Sequence, residues 1–180
     1  SPLSWEIDEP VPPAAPGMTM SDPRALARLE QEAEMRKVMP GAFKYYRGSA
    51  IYPNECVFFL AHDFKTLMIE SKGRLPEYRE FVFSCSMASA YAYHRKFLQL
   101  LQGNNPGVWN LKMPSHTLHL DDLTNEYPDA RLIYTHRDPL AAIGSLSSLI
   151  RFAFSMTTDT PPLNWIAENS LWQAKEHCGR

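Results

Sequence analysis

Apolar residues recur in this chain at two different periods, and the change comes near its middle. Ahead of both lies the run SPLSWEIDEPVPPAAPGMTM, residues 1–20, where Leu3, Trp5 and Ile7 alternate with polar residues before the prolines begin. Proline fixes φ and lacks an N–H, so this run is expected to form neither a helix nor a central strand. A Trp is out of place in a solvated arm, and the segment is expected to dock on the body of the protein.

From Ser21 to Gly103 the spacing is helical. Ser21-Asp22-Pro23 supplies a capping hydroxyl, an acid for the positive end of the helix dipole and a first-turn proline. The helix that follows is stopped by Pro40-Gly41. Asn54-Glu55 opens a second helical run with Val57, Phe58 and Leu60 as apolar positions, and Pro76 marks a third start. A longer helix ends at Gly103; in it Met87, Tyr91, His94, Leu98 and Leu101 fall three and four apart, a single buried stripe.

After the turn Asn105-Pro106-Gly107 the period shortens, and residues 108–111 read as a strand. Ser115 caps a predicted helix over 116–126, Pro128-Asp129 breaks it, and residues 131–136 form a second, β-rich strand. Pro139 opens a helix to about Phe154, and a last one runs over 163–178. Strand, helix, strand, helix with a long crossover predicts a right-handed βαβ unit and a parallel sheet. The domain reading is a Pro-rich docked segment (1–20), a helical region (21–103) and a βαβα core (104–180). There is no internal repeat.

Composition narrows this picture without redirecting it. The chain has 180 residues, 44% of them hydrophobic, enough for one domain with a core. Eighteen basic and twenty acidic residues give a net charge of -2, which argues against a nucleic-acid surface built on bulk charge. No stretch approaches the roughly 18 unbroken apolar residues of a membrane span. Cys56, Cys85 and Cys178 are too few and too scattered for a disulfide framework or a CxxC pair, which favours a reduced, cytoplasmic setting.

Ligands of open α/β sheets bind at the carboxyl ends of the strands. That rule singles out residues 111–116 and 134–139, and places Lys112 and Arg137 on one edge of the expected sheet. Two cations there, each beside a helix N-terminus, suit a phosphate-like anion. Ser145, eight residues past Arg137 and about two turns into its helix, presents a hydroxyl toward the same rim. An Arg–phosphate contact is worth about 1.5–3 kcal/mol, against about 1 kcal/mol for the hydroxyl. The competing reading is Arg137 paired with Asp138 and Ser145 as ordinary surface.

His116, His119 and Asp122 fall three apart on one predicted helix, with His136 near the sheet edge; this matches no strong zinc signature, and no metal is expected. Asp121-Asp122 reads as a solvated pair. The Pro-rich start lacks the flanking basic residue of an SH3-type ligand.

Together these residues resemble a family. W-N-L-K-M-P-S-H at 109–116, Y-P-D-A-R-L-I-Y-T-H-R-D-P at 127–139 and Ser145 look like the sulfotransferases that use PAPS (3′-phosphoadenosine 5′-phosphosulfate) as donor. The match is closest to a branch carrying W-x-L-K-x-P-x-H, and residues 2–13 resemble a segment of the same branch. The resemblance implies an α/β, P-loop NTPase-like three-layer fold with a helix-rich insertion on the acceptor side. It implies that Arg137 and Ser145 bind the donor's 3′-phosphate. It also implies an acid at Glu6 as the base for the acceptor's proton, with His116 as a rival.

Chemistry fits these roles. Sulfuryl transfer is an in-line displacement with charge building on the leaving oxygen, where Lys112 would stand. Trp5 would desolvate Glu6 and raise its pKa, while the helix N-terminus would keep His116 neutral. His116 also suits a structural role, holding the Lys112 loop by hydrogen bonds.

One family signature is missing: a Gly- and Ser/Thr-rich loop for the 5′-phosphosulfate. The glycines, at 17, 41, 48, 73, 103, 107, 144 and 179, are scattered, with no GxxxxGK[ST] or GxGxxG. The expectation is therefore an internal piece of a longer enzyme, its fold incomplete at both ends and inactive alone, with a small-molecule, glycan or lipid acceptor bearing a hydroxyl or amine. Two alternatives stand beside it: a non-catalytic remnant that binds a partner or an anion, and a metal hydrolase built on the histidines.

Overall fold

The computed structural model describes residues 1–41 and 48–179, so residues 42–47 of the expected helical region lie outside the described residues. The helices, in chain order, are α1 (Ser4–Asp8), α2 (Pro23–Val38), α3 (Val57–Leu60), α4 (Leu67–Glu70), α5 (Pro76–Ser84), α6 (Ala88–Gln102), α7 (Leu120–Glu126), α8 (Pro139–Ser155) and α9 (Leu163–Gly179). Two 3-10 turns, Ala61–Asp63 and Pro114–Leu118, complete the described elements. The chain forms two compact units: Ser1–Asp63 with Ser89–Met113, and Phe64–Ala88 with Pro114–Arg180. No helix among the described residues is long and apolar enough to cross a membrane.

In the first unit the Pro-rich start is packed down, and it does contain a helix. Leu3 forms an antiparallel bridge with Pro53, and Ser4 N and Trp5 N donate to the carbonyls of Tyr52 and Ala50 at 3.2 and 3.1 Å. Trp5, Glu6 and Ile7 are all buried on α1, where sequence alternation pointed to every second residue. A five-residue helix has no stability of its own; burial of Leu3 and Trp5 against Ala14, Ala25 and Ala50 holds it. Beyond it, Asp22 rather than Ser21 caps α2, accepting from Arg24 N at 2.9 Å. The expected stripe is buried in full: Met87, Tyr91, His94, Leu98 and Leu101.

The parallel sheet is not formed among the described residues. Residues 108–113 and 130–138 run without helix or ladder. A strand exists by exchanging N–H···O=C bonds with a neighbour, and the β-bridge at Leu3 is the one such pairing described. Val108 is 100% exposed and Ile133 89% exposed, β-forming side chains left on the surface. The helix expected over 116–126 is split as well: Pro114–Leu118 is a 3-10 turn, His119 is non-helical, and α7 begins at Leu120.

The second unit is helical, with α8 and α9 packed through Ile150, Phe154 and Ile166. Beside this cluster lies a buried polar knot. Glu70, 1% exposed, accepts from Asn169 Nδ2 at 3.3 Å and Gln173 Nε2 at 3.1 Å through the same oxygen, Oε2. Arg79 donates to Asn169 Oδ1 at 2.6 Å and lies 4.0 Å over the Trp172 ring. Glu70 Oε1 and Arg79 Nε have no hydrogen-bond partner among the described residues.

Burial pushes the Glu70 carboxyl above its ordinary value, against the pull of Asn169, Arg79 and Gln173. A carboxyl whose folded pKa is raised contributes stability below its unfolded pKa of about 4.3 and loses it as pH rises through the folded value. Glu70→Gln should therefore gain on the parent protein between pH 4 and pH 8, which urea unfolding at the two pH values checks. Curves that stay parallel would show that Glu70 titrates normally.

Candidate active site

Glu6 sits on α1, 6% exposed, with Oε2 accepting the Leu3 N–H at 2.8 Å. This bond across the first turn is local, made possible by the acid falling three residues after Leu3. Burial pushes the Glu6 carboxyl upward, opposed by the Leu3 N–H and by Arg24. Arg24 is committed elsewhere: its guanidinium holds both oxygens of Asp22 at 2.8 and 2.9 Å and the Glu9 carbonyl at 2.9 Å, and stacks 4.7 Å over Trp5. Glu6 also lines a cavity of about 310 Å³ in the first unit.

Lys112 lies in the extended segment that closes the first unit. Its carbonyl accepts from Cys56 N at 3.0 Å, and its exposed ammonium pairs with Glu55. Among the described residues it lies at no strand end, unlike the sheet-edge reading, and the backbone bond to Cys56, just ahead of α3, positions it. Burial pushes the neighbouring Cys56 thiol up to about 12, which leaves it inert at neutral pH.

His116 stands in the 3-10 turn Pro114–Leu118 of the second unit, where burial and then the charge of His119 push it down to about 4. It is neutral across the physiological range and a weak proton acceptor. The turn is tied to α9 by Thr117 Oγ1 and His177 Nδ1, 2.9 Å apart. Asp122 is no solvated pair member. Its carboxylate accepts from Met87 N at 2.5 Å and Ser86 Oγ at 3.2 Å and so caps the start of α6. Among the described residues no group of three or more His, Cys, Asp or Glu is arranged to hold a metal ion.

Arg137 ends the extended segment ahead of α8, and Asp138 caps that helix by accepting from Ala141 N at 2.8 Å. Among the described residues Asp138 makes this cap and no ion pair with Arg137. Arg137 and Ser145 are both exposed, and neither makes a hydrogen bond or ion pair with a described residue. Ser145 follows the cap by seven residues, about two turns, and so shares its face of the helix. A guanidinium before the N-terminus of a 17-residue helix and a hydroxyl two turns into it, neither with a partner among the described residues, are donors of the kind a phosphate takes.

Sequence reasoning missed Glu55, Thr117 and His177. No local signal marks them, because each acts on a residue 57 or 60 positions away.

The chain matches the model of the sulfotransferase family over residues 8–177. Sulfotransferase STF9 from Mycobacterium avium is similar in structure, with a TM-score of 0.90 and 36% identity over 98% of this chain and 46% of that one. Sulfotransferase STF1 from Mycobacterium tuberculosis, 24% identical, shares the fold with a TM-score of 0.77 over 97% of this chain and 49% of that one. This chain spans about half the length of those proteins. No curated protein matches it. The family match over nearly the whole chain, with the same fold in a 36%-identical sulfotransferase, places this chain in the sulfotransferase family.

Proposed function

We propose that the protein moves a sulfuryl group from PAPS to an acceptor hydroxyl, within a P-loop-like α/β fold. Arg137 and Ser145 hold the donor's 3′-phosphate at the start of α8. Lys112 stabilises the oxygen left behind on the donor side, competing for it with the Glu55 carboxylate. Glu6 takes the acceptor's proton. Of the two candidate bases, Glu6 is pushed toward neutrality and His116 away from it. A base works best with its pKa near the working pH, which favours Glu6. The helical region 21–103 forms the acceptor side, and the donor supplies the sulfuryl group itself.

The observation that carries this reading is Arg137: an exposed guanidinium with no partner among the described residues, preceding a helix capped by its own acid, Asp138. Adenosine 3′,5′-bisphosphate should raise the melting temperature of the full-length protein, and Arg137→Ala should weaken that binding about 10- to 150-fold, the equivalent of about 1.5–3 kcal/mol. Ser145→Ala should weaken it less. Equal thermal protection of parent and Arg137→Ala would overturn the assignment.

A further inference from the structure

The cavity at Glu6 has walls that select what enters it. Its apolar lining is Leu3, Met20, Leu101, Val108 and Trp109. Its volume, about 310 Å³, is at the lower end for small-molecule sites. The polar groups around it are largely spent. Asn105 accepts from Gly17 N at 3.1 Å and donates to Ala14 O at 3.2 Å. Trp109 Nε1 donates to Gln102 Oε1 at 3.2 Å, which fixes the indole, and the Thr19 carbonyl receives Trp5 Nε1 at 3.0 Å. Glu6 Oε2 is held by Leu3 N, whereas Oε1 makes no hydrogen bond among the described residues. No Lys or Arg lines the cavity.

From this lining we infer that the acceptor is an uncharged, ring-sized apolar alcohol, seated against Trp109 and Leu101 with its hydroxyl donating to Glu6 Oε1. The inference rests on the reading of Glu6 as the base that takes the acceptor's proton and deepens it. An anionic acceptor, such as a sugar phosphate or carboxylated phenol, would bring a second negative charge beside a buried carboxylate, with no Lys or Arg side chain in the lining to offset it. An alkylammonium would pair with Glu6 and be held in its protonated form, which has no lone pair to attack sulfur. A neutral hydroxyl escapes both penalties: it donates one hydrogen bond to the oxygen that has none, and its ring covers the apolar wall. Trp109, locked by Gln102, is the flat surface for that ring.

Calorimetric titration of the full-length protein at pH 7.5, without donor, tests the inference using 2-naphthol and 6-hydroxy-2-naphthoate, the same ring with and without a carboxylate. Saturable binding of 2-naphthol, at least tenfold tighter than the naphthoate, is the expected result. Trp109→Ala should abolish it. Met20→Arg, at an exposed position where the fold tolerates a change, should narrow the preference by placing a cation at the rim. Equal affinity for both ligands, or 2-naphthol binding that neither substitution alters, overturns the inference. Because no turnover is measured, this outcome is separate from Glu6's role as base. Tight 2-naphthol binding together with an unimpaired Glu6→Gln enzyme would sink that role and leave the acceptor class standing.

Discussion

Glu6→Gln should lower the turnover of the full-length protein about 10²- to 10⁴-fold, the range associated with a positioned general base. The substitution keeps the shape of the side chain, and the amide oxygen can take the place of Oε2 under the Leu3 N–H. What it removes is the capacity to accept a proton. Because burial raises the Glu6 pKa, the basic form accumulates only above the ordinary carboxylate range. The parent enzyme should therefore lose activity as pH falls through that raised value, and Glu6→Gln should lose this limb of the profile. Stability moves the other way: a buried carboxyl with a raised pKa becomes a liability as pH rises, so the Gln variant should be no less stable at neutral pH. Turnover and its pH profile, measured at saturating donor, decide the matter. A variant within threefold of the parent, with the same acid limb, would place the base elsewhere.

The parts of the fold that were legible in the sequence are those whose causes are local. Pro23, Pro76 and Pro139 mark helix starts, and all three occupy the first turn of α2, α5 and α8. The three-and-four spacing from Met87 to Leu101 identified a buried stripe because one helix presents one face. Strands at 108–111 and 131–136 were read from β-propensity, yet a strand also requires a neighbour, and no described residue pairs with either segment. Helix α1 went unread because the prolines on either side of it argue against a helix, and part of what holds it lies some fifty residues away, as in the bond from Asn54 Nδ2 to Ser4 Oγ at 3.1 Å.

The same division runs through the candidate site. Arg137 and Ser145 were chosen from a motif with fixed spacing, and each stands exposed, with no hydrogen bond or ion pair to a described residue. The competitor for Arg137, a pairing with Asp138, is not formed among the described residues, where the Asp138 carboxylate accepts from Ala141 N. Lys112 was read as a cation at a sheet edge, whereas its resting partner, Glu55, depends on chain folding over 57 residues. Glu70 and Asp122 gave no sequence signal of burial or capping, since their partners are 99 and 35 residues distant. Acids of this kind look like solvated surface until the long-range contacts are known.

Trp5→Ala should be the most damaging single core substitution of the first unit, by about 3–5 kcal/mol. The indole is 2% exposed and lies in a cluster with Leu3, Ala14, Ala25 and Ala50, where the three alanines are too short to fill the space it would leave. Truncation also leaves the Thr19 carbonyl without its Nε1 donor and removes the ring beneath the Arg24 guanidinium. The last of these is worth about 0.5–1 kcal/mol. Trp5→Phe keeps most of the apolar area and the ring face, so its cost should be roughly that of the lost hydrogen bond, about 1–3 kcal/mol. Since a domain is stable by only about 5–15 kcal/mol, the Ala variant should unfold at markedly lower urea, and the Phe variant should fall between it and the parent. The effect reaches the site, because α1 carries Glu6 on the residue next to Trp5. Limited proteolysis should then cut the Ala variant first within residues 1–20, where the docked segment loses its anchor. A Trp5→Ala protein that unfolds with the parent and resists cleavage there would show that the proline-rich segment is held by its hydrogen bonds, among them those to Ala50, Tyr52 and Asn54, and not by the indole.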